Sequence, residues 1–190
     1  MQIRKTTMQD LTAVMQIYAD GRQIMAESGN PTQWPNGHPR QEIIENDIAA
    51  GKSYVCTTKA AMPLPEGSEA GIHSLPAAGF GAKPQSDEEK ILAVFYFDTT
   101  PDPTYAKIDG AWKNDAPYGV VHRIARAKDE AAKGSGAFCL EWCYAQTKNV
   151  RIDTHKDNAP MLKLLANLGY QYCGIVWLEE IAEERMAFQK

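Results

Sequence analysis

Ile124-Ala125-Arg126 followed by Lys133-Gly134-Ser135-Gly136-Ala137 reads as a strand, a turn with two glycines, and the start of a helix. Free backbone N–H groups at a helix N-terminus, with the helix dipole behind them, suit a phosphate anion. Gly134 and Gly136 let that backbone approach a ligand where a Cβ would obstruct it. The stretch is neither a P-loop nor a dinucleotide fingerprint, because Phe138 and Cys139 follow where further glycine is required. His155 lies beside Asp153 and Asp157 at a strand end, where it reads as a positioning residue rather than a catalytic one. His38 and His73 fall in breaker-rich loops and read as solvent-exposed. Trp34, Tyr105, Trp112 and Tyr118 suit the apolar wall of a substrate pocket, and packing roles suit them equally. Cys139 and Cys143 share a helix face, but no CxxC pair occurs among the four cysteines, so the spacing implies buried free thiols and no metal site.

The elements that must position these residues are legible from periodicity. Thr7 and Asp10 form a capping-box pattern, and Leu11, Val14, Met15 and Tyr18 then recur at helical spacing until the breakers Ser28 to Pro31. A second helix is predicted from near Pro39 to Gly51. Short strands are predicted at Gln2 to Lys5, Ser53 to Thr58 and Ile91 to Phe97. Downstream the pattern alternates: strand 118–126, helix 136–148, strand 150–154, helix 160–168, strand 170–178 and a last strand 184–189. Helical crossovers of this length favour parallel pairing between the strands they join. Residues 60–90 hold eight of the chain's 25 glycines and prolines without periodicity, which implies a long inserted loop.

The 190 residues suit one domain, and the 44% hydrophobic content excludes a disordered chain. A formal charge of −4 with no basic stripe argues against a nucleic-acid partner. No apolar run reaches the roughly 18 residues a membrane helix needs, and Met1 to Asp10 lacks a signal-peptide pattern, so a cytoplasmic location is expected.

The order strand, Gly-rich turn, helix, strand, Asn158, helix, Gly169-Tyr170 resembles the GNAT acetyltransferase superfamily. Gly134 and Gly136 match that family's R/Q-x-x-G-x-G/A turn, with Ala131 in the Arg/Gln place. Asn158, Met161, Leu164 and Gly169-Tyr170 resemble its second cofactor segment, with Leu165 where many members carry a proton-donating tyrosine. Local matches through Asp102-Pro103-Thr104-Tyr105, His122-Arg123-Ile124-Ala125 and Arg151-Ile152-Asp153-Thr154-His155 resemble a little-characterised bacterial-type group. The resemblance covers the chain apart from residues 60–90. It implies an α/β (α+β) acyl-CoA N-acyltransferase fold, with a mixed sheet of about six or seven strands splayed at the cofactor. It further implies transfer of an acetyl group from acetyl-CoA, as co-substrate and without metal, to a small-molecule or peptide amine by direct attack. Ile124 and Arg126 would pair with the pantetheine arm, Lys133, Gly134, Ser135, Gly136 and Ala137 would hold the pyrophosphate, and Asn158 would orient the pantetheine. His122 would be the general base, suited by the ordinary imidazole pKa of about 6.5. Trp34, Tyr105 and Tyr118 would border the amine, and a homodimer stays open. Ala131 and Leu165 support the alternative of a non-catalytic acyl-CoA-binding module.

Overall fold

The computed structural model describes residues 1–58, 89–179 and 182–190. The insertion expected at 60–90 falls almost wholly outside the described residues, as do His73 and Glu180. Among the described residues eight strands form one sheet: β1 (Gln2–Lys5), β2 (Ser53–Thr57), β3 (Ile91–Asp98), β4 (Asp109–Gly110), β5 (Gly119–Arg126), β6 (Val150–Thr154), β7 (Gln171–Leu178) and β8 (Glu183–Gln189). Their spatial order is β1-β2-β3-β5-β6-β8-β7-β4. Of these neighbours only β5 and β6 run parallel; the others are antiparallel. The expected six or seven strands become eight because the two-residue β4 pairs with β7, a ladder too short to leave a periodic signal.

Helices α1 (Leu11–Glu27), α2 (Gln41–Ala49), α3 (Ser135–Thr147) and α4 (Ala159–Asn167) flank the sheet. The Thr7–Asp10 pattern opens a 3₁₀ turn that leads into α1, and Asp10 accepts the Thr7 N–H at 2.8 Å. Arg4 grips the same carboxylate at 2.8 and 2.9 Å. Its hydrogen bonds outweigh burial and hold Asp10 near a pKa of about 2. One face of the sheet packs Phe95, Phe97, Val121 and Ile152 against Cys139, Leu140 and Cys143 of α3 and Leu165 of α4. The other packs Val55, Val94 and Ala125 against Val14, Ile17 and Tyr18 of α1 and Ile44 of α2. All four cysteines are buried free thiols.

Two irregularities of β5 open the sheet at its centre. Its register against β3 slips between Tyr96↔His122 and Val94↔Ala125, so Arg123 and Ile124 oppose the single residue Phe95. That bulge reverses the alternation of faces: Val121 packs with the first cluster and Ala125 with the second, although an unbroken strand would put both on one side. Pairing of β5 with β6 covers only Gly119–Val121 against Val150–Ile152, and beyond it the two parallel strands part. Gly21 of α1 lets the helix close on this region, since a Cβ there would lie 3.1 Å from the Ala125 Cβ.

Candidate active site

The opening between β5 and β6 is the floor of a cavity of ≈1380 Å³. At one end it meets the N-terminus of α3, where Gly134, at φ +82°, takes a left-handed turn that a side chain would strain. Phe138 N–H is bonded to Gly134 C=O, which leaves the amides of Ser135, Gly136 and Ala137 without helical acceptors. Of the residues expected to hold the cofactor, Gly134, Gly136, Ala137, Ile124, Arg126 and Asn158 line the cavity. Lys133 and Ser135 do not. The Lys133 ammonium pairs with Glu130 at 2.7 Å on the exposed side, and the buried Ser135 hydroxyl donates to Ala132 C=O at 2.7 Å. Asn158 caps α4 by accepting Met161 N–H and donates to Gln33 Oε1 at 2.9 Å, so it ties α4 to the loop after α1. Ala131, in the place of the family's Arg or Gln, donates its amide to Asp129 and so offers no N–H to an anion.

His122 stands at the bend of β5, its side chain 22% exposed, and lines the cavity. Its Nε2 lies 2.7 Å from Asp102 Oδ2. Burial alone would raise the Asp102 carboxyl, but the His122 ring and the Thr104 N–H outweigh it and hold the pKa at about 2. An ionised carboxylate can only accept, so Nε2 carries the proton and the Nδ1 lone pair is left open. Nδ1 sits 3.6 Å from Asp153 Oδ1, beyond a direct hydrogen bond, and that oxygen already accepts the Tyr105 hydroxyl at 2.6 Å. Next along β5, Arg123 and Ile124 form the bulge opposite Phe95 and have no partner on β6.

Trp34 lines the cavity wall, edge-on to Tyr18 with ring centroids 5.7 Å apart. Tyr105 and Tyr118, expected beside it, lie behind the wall. Tyr105 is 2% exposed, its hydroxyl committed to Asp153 and its phenol pKa pushed up by burial and by that carboxylate. Tyr118 stacks at 3.9 Å under the Arg151 guanidinium, whose other face covers Trp112. Aromatic type alone does not separate packing from lining, and here packing won for both tyrosines. His38, expected in an exposed loop, instead lines the cavity beside Trp34. His155 holds its own turn, accepting Asp157 N–H at Nδ1, while Asp153 serves His122 and Tyr105. The roles of Asp102 and Asp153 could not be read from spacing: both belong to matched segments, but only folding places them on either side of one imidazole. Leu165 is fully buried in the core.

Solved structures superpose on this fold over its whole length. An acetyltransferase of the GNAT family from Streptococcus agalactiae superposes with a TM-score of 0.68 at 25% identity, over 100% of this chain and 94% of that one. This chain has the GNAT fold. A putative acetyltransferase from Staphylococcus aureus gives 0.60 at 19% identity over 100% and 98% of the two chains. A GNAT superfamily phosphinothricin acetyltransferase from Sinorhizobium meliloti, solved with AcCoA, gives 0.55 at 11% over 100% and 86%. No protein-family model and no curated protein matches the sequence. Among the described residues no group of three His, Cys, Asp or Glu is placed to hold a metal ion. No helix among them is long and apolar enough to cross a membrane.

Proposed function

We propose that this chain is an acetyl-CoA-dependent N-acetyltransferase that acetylates the amine of a small molecule or peptide. The observation that carries the reading is His122, which lines the cavity beside the bulge of β5 with Nε2 held by Asp102. Acetyl-CoA would lie along the parted strands, its pyrophosphate on the amides of Gly136 and Ala137, which line the cavity. The pantetheine would run past Ile124, Arg126 and Asn158. The amine would enter from the Trp34 side, and its proton would pass to Nδ1 as nitrogen attacks the thioester carbon. The imidazolium so formed has a carboxylate facing each nitrogen, Asp102 at Nε2 and Asp153 at Nδ1. The tetrahedral oxyanion would be met by backbone amides at the bulge, those of Arg123 and Ile124. Collapse expels the thiolate. A thiol of pKa about 8.5 is a tolerable leaving group, and Leu165, sealed in the core, supplies no proton.

Thiol release from acetyl-CoA, followed across a panel of primary amines, tests the reading. At least one amine should accelerate release, and His122→Ala should lower turnover by roughly 10²- to 10⁴-fold, the usual worth of a general base. Acetyl-CoA affinity should hold within about threefold, because the ring does not contact the α3 turn. Binding without release for every amine would leave the chain a non-catalytic acyl-CoA module.

A further inference from the structure

If the chain transfers acetyl groups as proposed, the backbone at the oxyanion must be held in place, and Arg123 of β5 is the residue at that point. Arg123 has a φ of +50°, in the left-handed region that Cβ disfavours for every residue but glycine. Such a conformation persists only where its surroundings enforce it. Arg123 sits in the bulge itself, between His122, which pairs with Tyr96, and Ala125, which pairs with Val94.

The side chain shows what enforces it. Nε and Nη2 of Arg123 reach both carboxylate oxygens of Asp47, at 3.1, 3.0 and 2.8 Å. Cζ lies 4.7 Å from the centre of the Tyr96 ring. Both members of the ion pair are largely shielded, with side chains 19% and 12% exposed. Asp47 comes from the last turns of α2, and Tyr96 from β3 opposite His122. One strained residue is therefore gripped by a helix and by the neighbouring strand. We propose that Arg123 is a positioning residue: its fork on Asp47 holds the bulge of β5 so that the Arg123 and Ile124 amides face the thioester oxygen. Lysine could not substitute, since a point charge has no fork to fix two oxygens and no plane to lie on the tyrosine. Recognition of an anionic acceptor explains the geometry less well, because Asp47 already fills the fork that would take a carboxylate.

The clamp acts on the transition state, so its loss should appear in kcat rather than in KM. Arg123→Gly is the informative variant, because glycine adopts φ +50° without strain while the grip is removed. In the full chain, with the panel amine that gives fastest thiol release, kcat should fall at least 30-fold, with both KM values within threefold. Amide hydrogen exchange across residues 119–126, measured on the protein alone, should quicken at least tenfold. Arg123→Lys should recover less than a third of the lost rate. Asp47→Asn should lower kcat in the same direction, and combining it with Arg123→Gly should cost no more than Arg123→Gly alone. If Arg123→Gly does not fold, Asp47→Asn carries the same readouts. Unchanged kcat and exchange, a loss confined to the amine KM, or multiplying losses in the double variant would each overturn the clamp. If no amine releases thiol from the parent protein, the acetyl-transfer reading fails by itself. The exchange rates then decide the clamp alone: faster exchange upholds it, and unchanged exchange overturns it.

Discussion

A histidine becomes a directional base only when one of its nitrogens is committed. In this site Asp102 makes the commitment, 2.7 Å from Nε2 and ionised down to about pH 2. Its ionised oxygen can only accept, so it fixes which ring nitrogen donates and stands beside the imidazolium formed on attack. Asp102→Asn removes the charge and keeps the size. Plateau turnover should fall roughly 10- to 100-fold, the worth of a charge-assisted hydrogen bond of about 1.5–3 kcal/mol. Turnover equal to that of the parent would remove Asp102 from the mechanism. The sequence points to His122 through its place on a strand before Ile124, whereas Asp102 lies 20 residues upstream in a turn. No spacing rule links a turn residue to a strand residue at that separation.

At the scale of elements, the site depends on β5 leaving β6 after three registered pairs and on α3 beginning where it does. The glycines of that turn are legible in the sequence, and so is their chemistry, because anion binding at a helix start is a local property of backbone amides. Which neighbours of those glycines would touch a ligand is not local. Lys133 and Ser135 flank Gly134, yet one pairs outward with Glu130 and the other bonds inward to Ala132. A Cβ on Gly136 would rest 3.4 Å from Leu164 Cδ2, an ordinary contact, so the helix accommodates a side chain there. Gly136→Asp should then weaken acetyl-CoA binding at least tenfold by titration calorimetry, through like charge at an anion site. The fold should survive. Full affinity in this variant would move the pyrophosphate away from α3.

Across the whole molecule, the cavity lies where two halves of one sheet part, with β1-β2-β3-β5 on one side and β6-β8-β7-β4 on the other. A ligand seated there touches both halves and binds only the folded chain, so its affinity adds to stability by mass action. Acetyl-CoA at a hundred times its dissociation constant should contribute about 2.7 kcal/mol and raise the melting midpoint by roughly 5–10 °C for a chain of this size. A midpoint indifferent to acetyl-CoA would overturn the assignment of the cavity. The buried free thiols predict no dependence of that midpoint on reductant.

The sequence by itself determined the alternation of strands and helices, the capped start of α1 and the glycine turn before α3. Hydrophobic period, capping and turn chemistry all act between residues close along the chain. Folding decided the bulge that turns Ala125 to the face opposite Val121, the withdrawal of Tyr105 and Tyr118 behind the wall, and the meeting of Asp102, His122 and Asp153. It also brought Asp47 to Arg123 across 76 positions. Each of these is a pairing of distant segments, where register and packing choose among contacts that local propensity leaves equal.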